Sequence, residues 1–285
     1  MFTWVEVGGS RPGVMGVVNV TPDSFSDGGR WLDPGAAVAH GLDLVAAGAD
    51  LLDVGGESTR PGAGAVDAAE ERAWIEPVIA RLVADAGVPV SVDTTKAEVA
   101  AAALDAGAVI VNDVSAGRFD PALLPLVADR GAGIVLMHML GDPRTMQDDP
   151  RYDDVVREVG DFLVARADAA RAAGIPDAAI AVDPGVGFGK TTTHNLDLLA
   201  RLDTLVERLD LPVVVGTSRK RFIGRVLTDV GGETGEPTAD RRDDGTLGTV
   251  VWAAECGARV VRVHDAHGAA RAVDLLALLD TVEAA

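Results

Sequence analysis

At 285 residues and 48% hydrophobic content, the chain is long enough to bury a large core, either as two ordinary domains or as one barrel. Its formal net charge of −19, with no dense basic patch, argues against a nucleic-acid or anionic-membrane partner, and no apolar run approaches the length that spans a bilayer. The lone cysteine, Cys256, forms no internal disulfide, and the opening MFTWVEVGGSRPG lacks a basic segment followed by an apolar core, so a cytoplasmic protein is expected. Along the chain, short Val- and Ile-rich runs alternate with longer Ala-, Leu- and charge-rich segments of helical spacing, the pattern of a parallel sheet. Strands are expected at 14–18, 50–54, 89–92, 109–111, 133–137, 179–182, 212–215 and 259–261. Helices are expected at 34–47, 67–86, 96–106, 121–130, 152–173, 195–208, 244–256 and 268–282, with another beginning after Ser218. The dipeptide AG recurs at helix ends, in AAGAD, ADAGV, LDAGA and RAAGI, where glycine tolerates the left-handed conformation that stops a helix. No linker divides the chain; the polar stretch 231–246 falls inside the repeat and reads as an insertion between the seventh and eighth units. One domain over 1–285, a (β/α)8 TIM barrel, is expected, with an open doubly wound sheet as the alternative.

The polar residues favour the barrel. Each apolar run ends in a group able to do chemistry: Asn19, Asp53, Asp93, Asn112, His138, Asp183, Ser218 with Lys220, and Arg262 with His264. A barrel gathers all its strand ends around one mouth, whereas an open sheet spreads them along a line too long for one small ligand. Any one Asp or Asn could simply cap the next helix, but the whole series is harder to dismiss. DPGVGFGKT is not a phosphate-binding P-loop, because Pro184 stands where the first glycine is required. GTSRK lacks the flanking glycines of a nucleophile elbow, and the histidines have no zinc spacing; His40 and His194 read as helix-surface residues. What remains is rich in acceptors and carboxamides, which suits a flat heterocycle with N–H donors and ring nitrogens, a pterin or a purine.

MGVVNVTPDSFSDGG, DVGGESTRPGA, SVDTTKAEVA, VNDVSAG, LMHMLGDPRTMQ, DPGVGFGK, GTSRKRFIG and RVHD, in this order over nearly the whole chain, resemble the dihydropteroate synthase family. That resemblance implies a barrel that joins 6-hydroxymethyl-7,8-dihydropterin diphosphate to p-aminobenzoate in folate biosynthesis, with release of diphosphate and inhibition by sulfonamides. It implies a pterin pocket of Asp93, Asn112, Met137, Asp183, Lys220 and Arg262. Diphosphate is expected at Asn19, Thr59, Arg60, Arg262 and His264, with Mg2+ at Asn19. The p-aminobenzoate is expected against Thr59, Pro61, Phe188, Ser218 and Arg221. Asp93, Lys220, Arg60 and Arg262 are the expected catalytic groups, acting electrostatically on a dissociative substitution. Arg221 departs from the small hydroxyl residue that many relatives carry there. The loops 21–29 and 57–63, rich in Gly, Ser and Asp, are expected to close over the site. A homodimer through the outer helices of the later repeats is implied as well. Two other readings stay open: a methyltetrahydrofolate–corrinoid methyltransferase sharing the pterin carboxylates, and a non-catalytic paralogue.

Overall fold

Val, Ile and Leu dominate the runs that form strands because a parallel strand is buried on both faces and favours branched side chains. A computed structural model describes residues 1–21, 34–58, 64–231, 235 and 237–283. Its strands are β1 (Gly13–Asn19), β2 (Leu51–Gly55), β3 (Val90–Asp93), β4 (Ile110–Asp113), β5 (Gly133–Met137), β6 (Ile180–Asp183), β7 (Val214–Val215) and β8 (Val260–Val263). All pairings are parallel, in the order β6-β5-β4-β3-β2-β1-β8-β7, and a single bridge between Val182 and Val213 brings β6 to β7, so the barrel is nearly closed. The open sheet is thereby ruled out.

The helices are α1 (Pro34–Ala46), α2 (Ala68–Asp85), α3 (Ala97–Asp105), α4 (Leu123–Arg130), α5 (Val155–Ala172), α6 (Thr192–Ala200), α7 (Leu202–Leu209), α8 (Arg221–Gly231), α9 (Asp243–Glu255) and α10 (Ala266–Glu283). The AG glycines behave as expected, with positive φ at Gly48, Gly87, Gly107 and Gly174. The expected 195–208 helix is in fact two, α6 and α7, which part at Arg201. The 231–246 stretch lies within the seventh unit, between α8 and α9. Its described part contains a 3-10 turn, Asp240–Arg242, and the first residues of α9.

Two apolar layers follow from the period of two along a strand. Outward residues such as Leu52, Val92, Val111, Ile134, Val182 and Val261 pack under the helices. Inward residues Met15, Leu51, Ile110, Val135, Ala181, Val214 and Val260 form a second cluster with Trp4. Trp4 is fully buried at the N-terminal end of the strands, where its indole N–H donates to Ala179 O at 3.0 Å. With that end sealed by apolar side chains, the chemistry is left to the opposite mouth. Among the described residues no helix is long and apolar enough to cross a membrane.

Candidate active site at the barrel mouth

Two residues beyond the inward apolar layer, the same parity turns Asp53, Asp93, Asn112, Met137, Asp183 and Arg262 into the barrel. The register places these strand ends side by side: Asp93 opposite Asn112, Met137 opposite Asp183, Gly55 opposite Asp93. Arg262 spans the mouth, with Nε donating to Asp53 Oδ2 at 2.7 Å and Nη2 to Asp93 Oδ2 at 2.8 Å. Asn112 Nδ2 donates to the same Asp53 oxygen at 2.8 Å. Asp53 is fully buried, and its Oδ1 has no hydrogen-bond partner among the described residues. It holds Arg262 and Asn112 together, a role its strand-end position alone did not disclose.

Burial dominates the titration of the site. It pushes the Asp93 carboxyl up to about 7, a shift that Arg262 opposes and Asp53 reinforces. Asp183 is raised by the same desolvation, against the pull of Lys220, while its Oδ1 accepts from Gly185 N at 2.7 Å. Desolvation brings the Lys220 amine down to about 8, with Asp183 holding it up and Arg262 pressing it further down. Lys220 Nζ donates to Val186 O and lies 4.6 Å from the centre of the Phe188 ring. Phe188 in turn packs against Met137, Met139, Val114 and Met146. One wall is thus apolar and polarisable, suited to a flat ring, and the strand ends around it carry Asp53, Asp93 and Asp183.

The other expected residues divide. Ser218 is buried, its Oγ accepting from His264 N at 3.1 Å and lying 3.0 Å from His264 Nδ1, so these two form one unit on neighbouring strand ends. Asn19 is half-buried at the end of β1, opposite Gly55. Arg221 is exposed at the first position of α8. Thr59, Arg60 and Pro61 lie outside the described residues, as do the expected lid loops apart from Thr21, Glu57 and Ser58. Glu57, at the root of the second loop, is held by Lys96 Nζ at 2.6 Å and by Val66 N at 3.1 Å. Lys96 also reaches the fully buried Glu71 at 2.6 Å. Of the three neighbouring cations, Arg219 turns away into a bidentate pair with Asp243, Nε–Oδ1 and Nη2–Oδ2 both 2.8 Å. His194 caps α6 together with Thr191.

The described residues contain no cluster of three or more His, Cys, Asp and Glu side chains placed for a metal. Asp53 and Asp93 are already engaged by Arg262. A cation at Asn19 would therefore rely on one carboxamide oxygen, with water and substrate phosphate completing its shell, which suits the reluctantly dehydrated Mg2+.

The "Pterin binding enzyme" family matches over residues 15–264. A dihydropteroate synthase of Mycobacterium leprae is 50% identical over 264 residues, covering 92% of each chain. A solved Xanthomonas albilineans dihydropteroate synthase with 4-aminobenzoic acid superposes with a TM-score of 0.85 at 51% identity, covering 96% of this chain and 94% of that one. A structure of the X. albilineans enzyme in complex with 7,8-dihydropteroate gives 0.83 at 47% identity, with 95% and 94% covered.

Proposed function

The chain belongs to the pterin-binding enzymes, among the dihydropteroate synthases, and from that premise we infer how its barrel mouth joins 6-hydroxymethyl-7,8-dihydropterin diphosphate to p-aminobenzoate with loss of diphosphate. The observation that carries this is the gathering of Asp93, Asn112, Asp183, Lys220 and Arg262 at the barrel mouth beside the apolar wall formed by Met137 and Phe188. Asp183 accepts from the amino group and ring N–H of the pterin, Asn112 and Lys220 read the remaining edge, and Met137 covers a face. Carbon–oxygen cleavage at the exocyclic methylene releases diphosphate and leaves a cation on the pterin; the aniline nitrogen of p-aminobenzoate attacks it to form the new carbon–nitrogen bond and then sheds one proton to water or to the departing diphosphate.

Asp93 is central to that step. Without ligand its counter-charge is Arg262. A cation developing on the bound ring takes over this role, and the guanidinium fork becomes available to the departing diphosphate beside His264 and Arg60. Asn19 would hold Mg2+ together with water and the diphosphate, and the ion would supply further neutralisation of the leaving group. Thr59, Pro61, Phe188, Ser218 and the α8 N-terminus, with Arg221, form the p-aminobenzoate side. We take the unit to be one barrel over 1–285, working in the cytoplasm as a homodimer through α9 and α10. No observation favours the corrinoid methyltransferase or the non-catalytic paralogue.

The test is consumption of p-aminobenzoate by the purified chain with the pterin diphosphate and Mg2+. Turnover competitively blocked by a sulfonamide is expected; absence of turnover by folded protein overturns the reading.

A further inference from the structure

The turn over residues 185–189, between β6 and α6, is held unusually completely. Gly185, Gly187 and Gly189 all have positive φ, with values of 65°, 86° and 63°. A Cβ on Gly185 would lie 1.8 Å from His138 O, so the turn rests directly on the end of β5. Each carbonyl along it accepts from a side chain. Lys190 Nζ donates to Gly185 O at 2.9 Å and to Phe188 O at 3.0 Å. Lys220 Nζ donates to Val186 O, Gln147 Nε2 to Gly187 O at 2.6 Å, and the Tyr152 hydroxyl to Gly189 O at 2.8 Å.

Lys190 stands out among these donors. It is only 3% exposed, and its third contact is His138 Nδ1 at 2.9 Å. Among the described residues no carboxylate touches it. Burying an ammonium group without an ion pair is costly, and that desolvation lowers the Lys190 amine well below its usual range. Burial, followed by the repulsion of Lys190, brings His138 down to about 2, which keeps the imidazole neutral and able to accept. The ring is wedged edge-on against Phe162, with centroids 4.9 Å apart, so this acceptor is itself fixed.

We propose that Lys190 is a positioning residue for the reaction: its buried amine clasps the 185–189 turn to His138, directly after β5, and so sets the Phe188 ring and the Val186 carbonyl that aim Lys220. The proposal rests on the reading that Phe188 and Lys220 face the substrates. The chain of contacts is short. Lys190 holds the Gly185 and Phe188 carbonyls, which bracket Val186 and Gly187; Val186 O takes the Lys220 amine; the same Lys220 amine lies over Phe188. Loss of the clasp leaves Phe188 O and His138 Nδ1 buried without their donor, and the turn must shift to solvate them.

The test uses the full chain with Mg2+ and saturating pterin diphosphate while p-aminobenzoate is varied. Wild-type turnover in the same assay secures the function reading separately. Lys190→Met, shown to be folded by its melting curve, is expected to raise KM for p-aminobenzoate about tenfold with kcat changed less, the loss anticipated for one displaced contact. In Lys190→Ala, added ethylamine is expected to restore a good part of kcat/KM, which a residue that merely stabilises the fold would not show. Tyr152→Phe, which removes one hydroxyl from the same turn, is expected to shift KM in the same direction by about threefold and keeps the idea testable if the lysine variants do not fold. Unchanged KM in folded Lys190→Met, no rescue by the amine, or an unaltered Tyr152→Phe would each overturn the proposal.

Discussion

Asp93 and Lys220 are both displaced toward neutrality by burial, from opposite sides, and the proposed chemistry needs both charged: the carboxylate against a developing cation, the ammonium as donor to the ring. In the free enzyme Asp93 is raised to about 7, so activity that requires its carboxylate rises as pH increases through that value. Lys220 is lowered to about 8, so activity that requires its ammonium falls as pH passes that value. The kcat/KM for the pterin diphosphate is accordingly expected to follow a narrow bell with limbs near these two pH values. Lys220→Arg should move the alkaline limb out of range, because a guanidinium stays protonated. Asp93→Asn should abolish the acid limb and cost about 10²–10³-fold in kcat/KM, the scale of one lost electrostatic stabiliser. A flat wild-type profile between pH 6 and 9 would refute the assignment. These residues were visible in the sequence because each ends an apolar run. Asp53 was visible for the same reason, yet its part is revealed only by Arg262, which lies 209 positions further along the chain. Lys190 carries no such signal: its acceptor His138 is 52 positions away, and DPGVGFGKT, which fails as a phosphate loop, offers no other motif.

At the scale of elements, the strands could be read from the chain because parallel strands buried on both faces leave continuous apolar runs, and the AG helix ends because positive φ restricts the residue type. The α6–α7 break could not be read. Leu198, Leu199, Leu202, Leu205 and Leu209 keep helical spacing straight through it, and no glycine or proline marks Arg201. The two pieces follow different neighbours, α6 packing against α8 and α9 as well as α5, and α7 against α5. A second local surprise is the β7–α8 turn, where Arg219 adopts φ 60°, unfavourable for a residue with a Cβ. Its carbonyl accepts from Arg242 Nη1 at 3.0 Å, its N–H donates to Thr246 Oγ1 at 3.0 Å, and its guanidinium is fastened to Asp243 at the start of α9. The pair therefore holds a strained residue directly before Lys220. Asp243→Ala is expected to destabilise the fold by about 1–2 kcal/mol, since a bidentate, half-exposed pair is lost while the strain stays. Arg219→Gly should cost less, because relief of the left-handed backbone offsets part of the lost pair. Urea unfolding of both variants checks the order; a larger loss for Arg219→Gly would mean that the pair does not bear the strain.

For the whole molecule, the deciding feature is an apolar surface on a strongly acidic body. On α10, Leu275, Leu278, Leu279 and Val282 are all exposed and recur at helical spacing on one face, and the exposed Leu247 and Trp252 lie on the adjoining α9. Such a patch on a chain of net charge −19 is matched by a second copy of itself only if burial of these side chains outweighs repulsion between two like-charged barrels. The two terms respond to salt in opposite ways. Screening weakens the repulsion and leaves apolar burial nearly untouched, so a homodimer joined through this face is expected to tighten as ionic strength rises from about 0.05 to 0.5 M. An interface built on ion pairs would loosen instead. Replacing Leu275 and Leu278 together by Asp should weaken association by about 100-fold or more, as for two central apolar anchors, and sedimentation equilibrium measures both effects. Because every described site residue lies at the mouth of one barrel and none on α9 or α10, the dissociated variant is expected to keep kcat within about twofold. If association weakens with added salt, or if the double variant stays dimeric, the proposed α9–α10 interface is wrong.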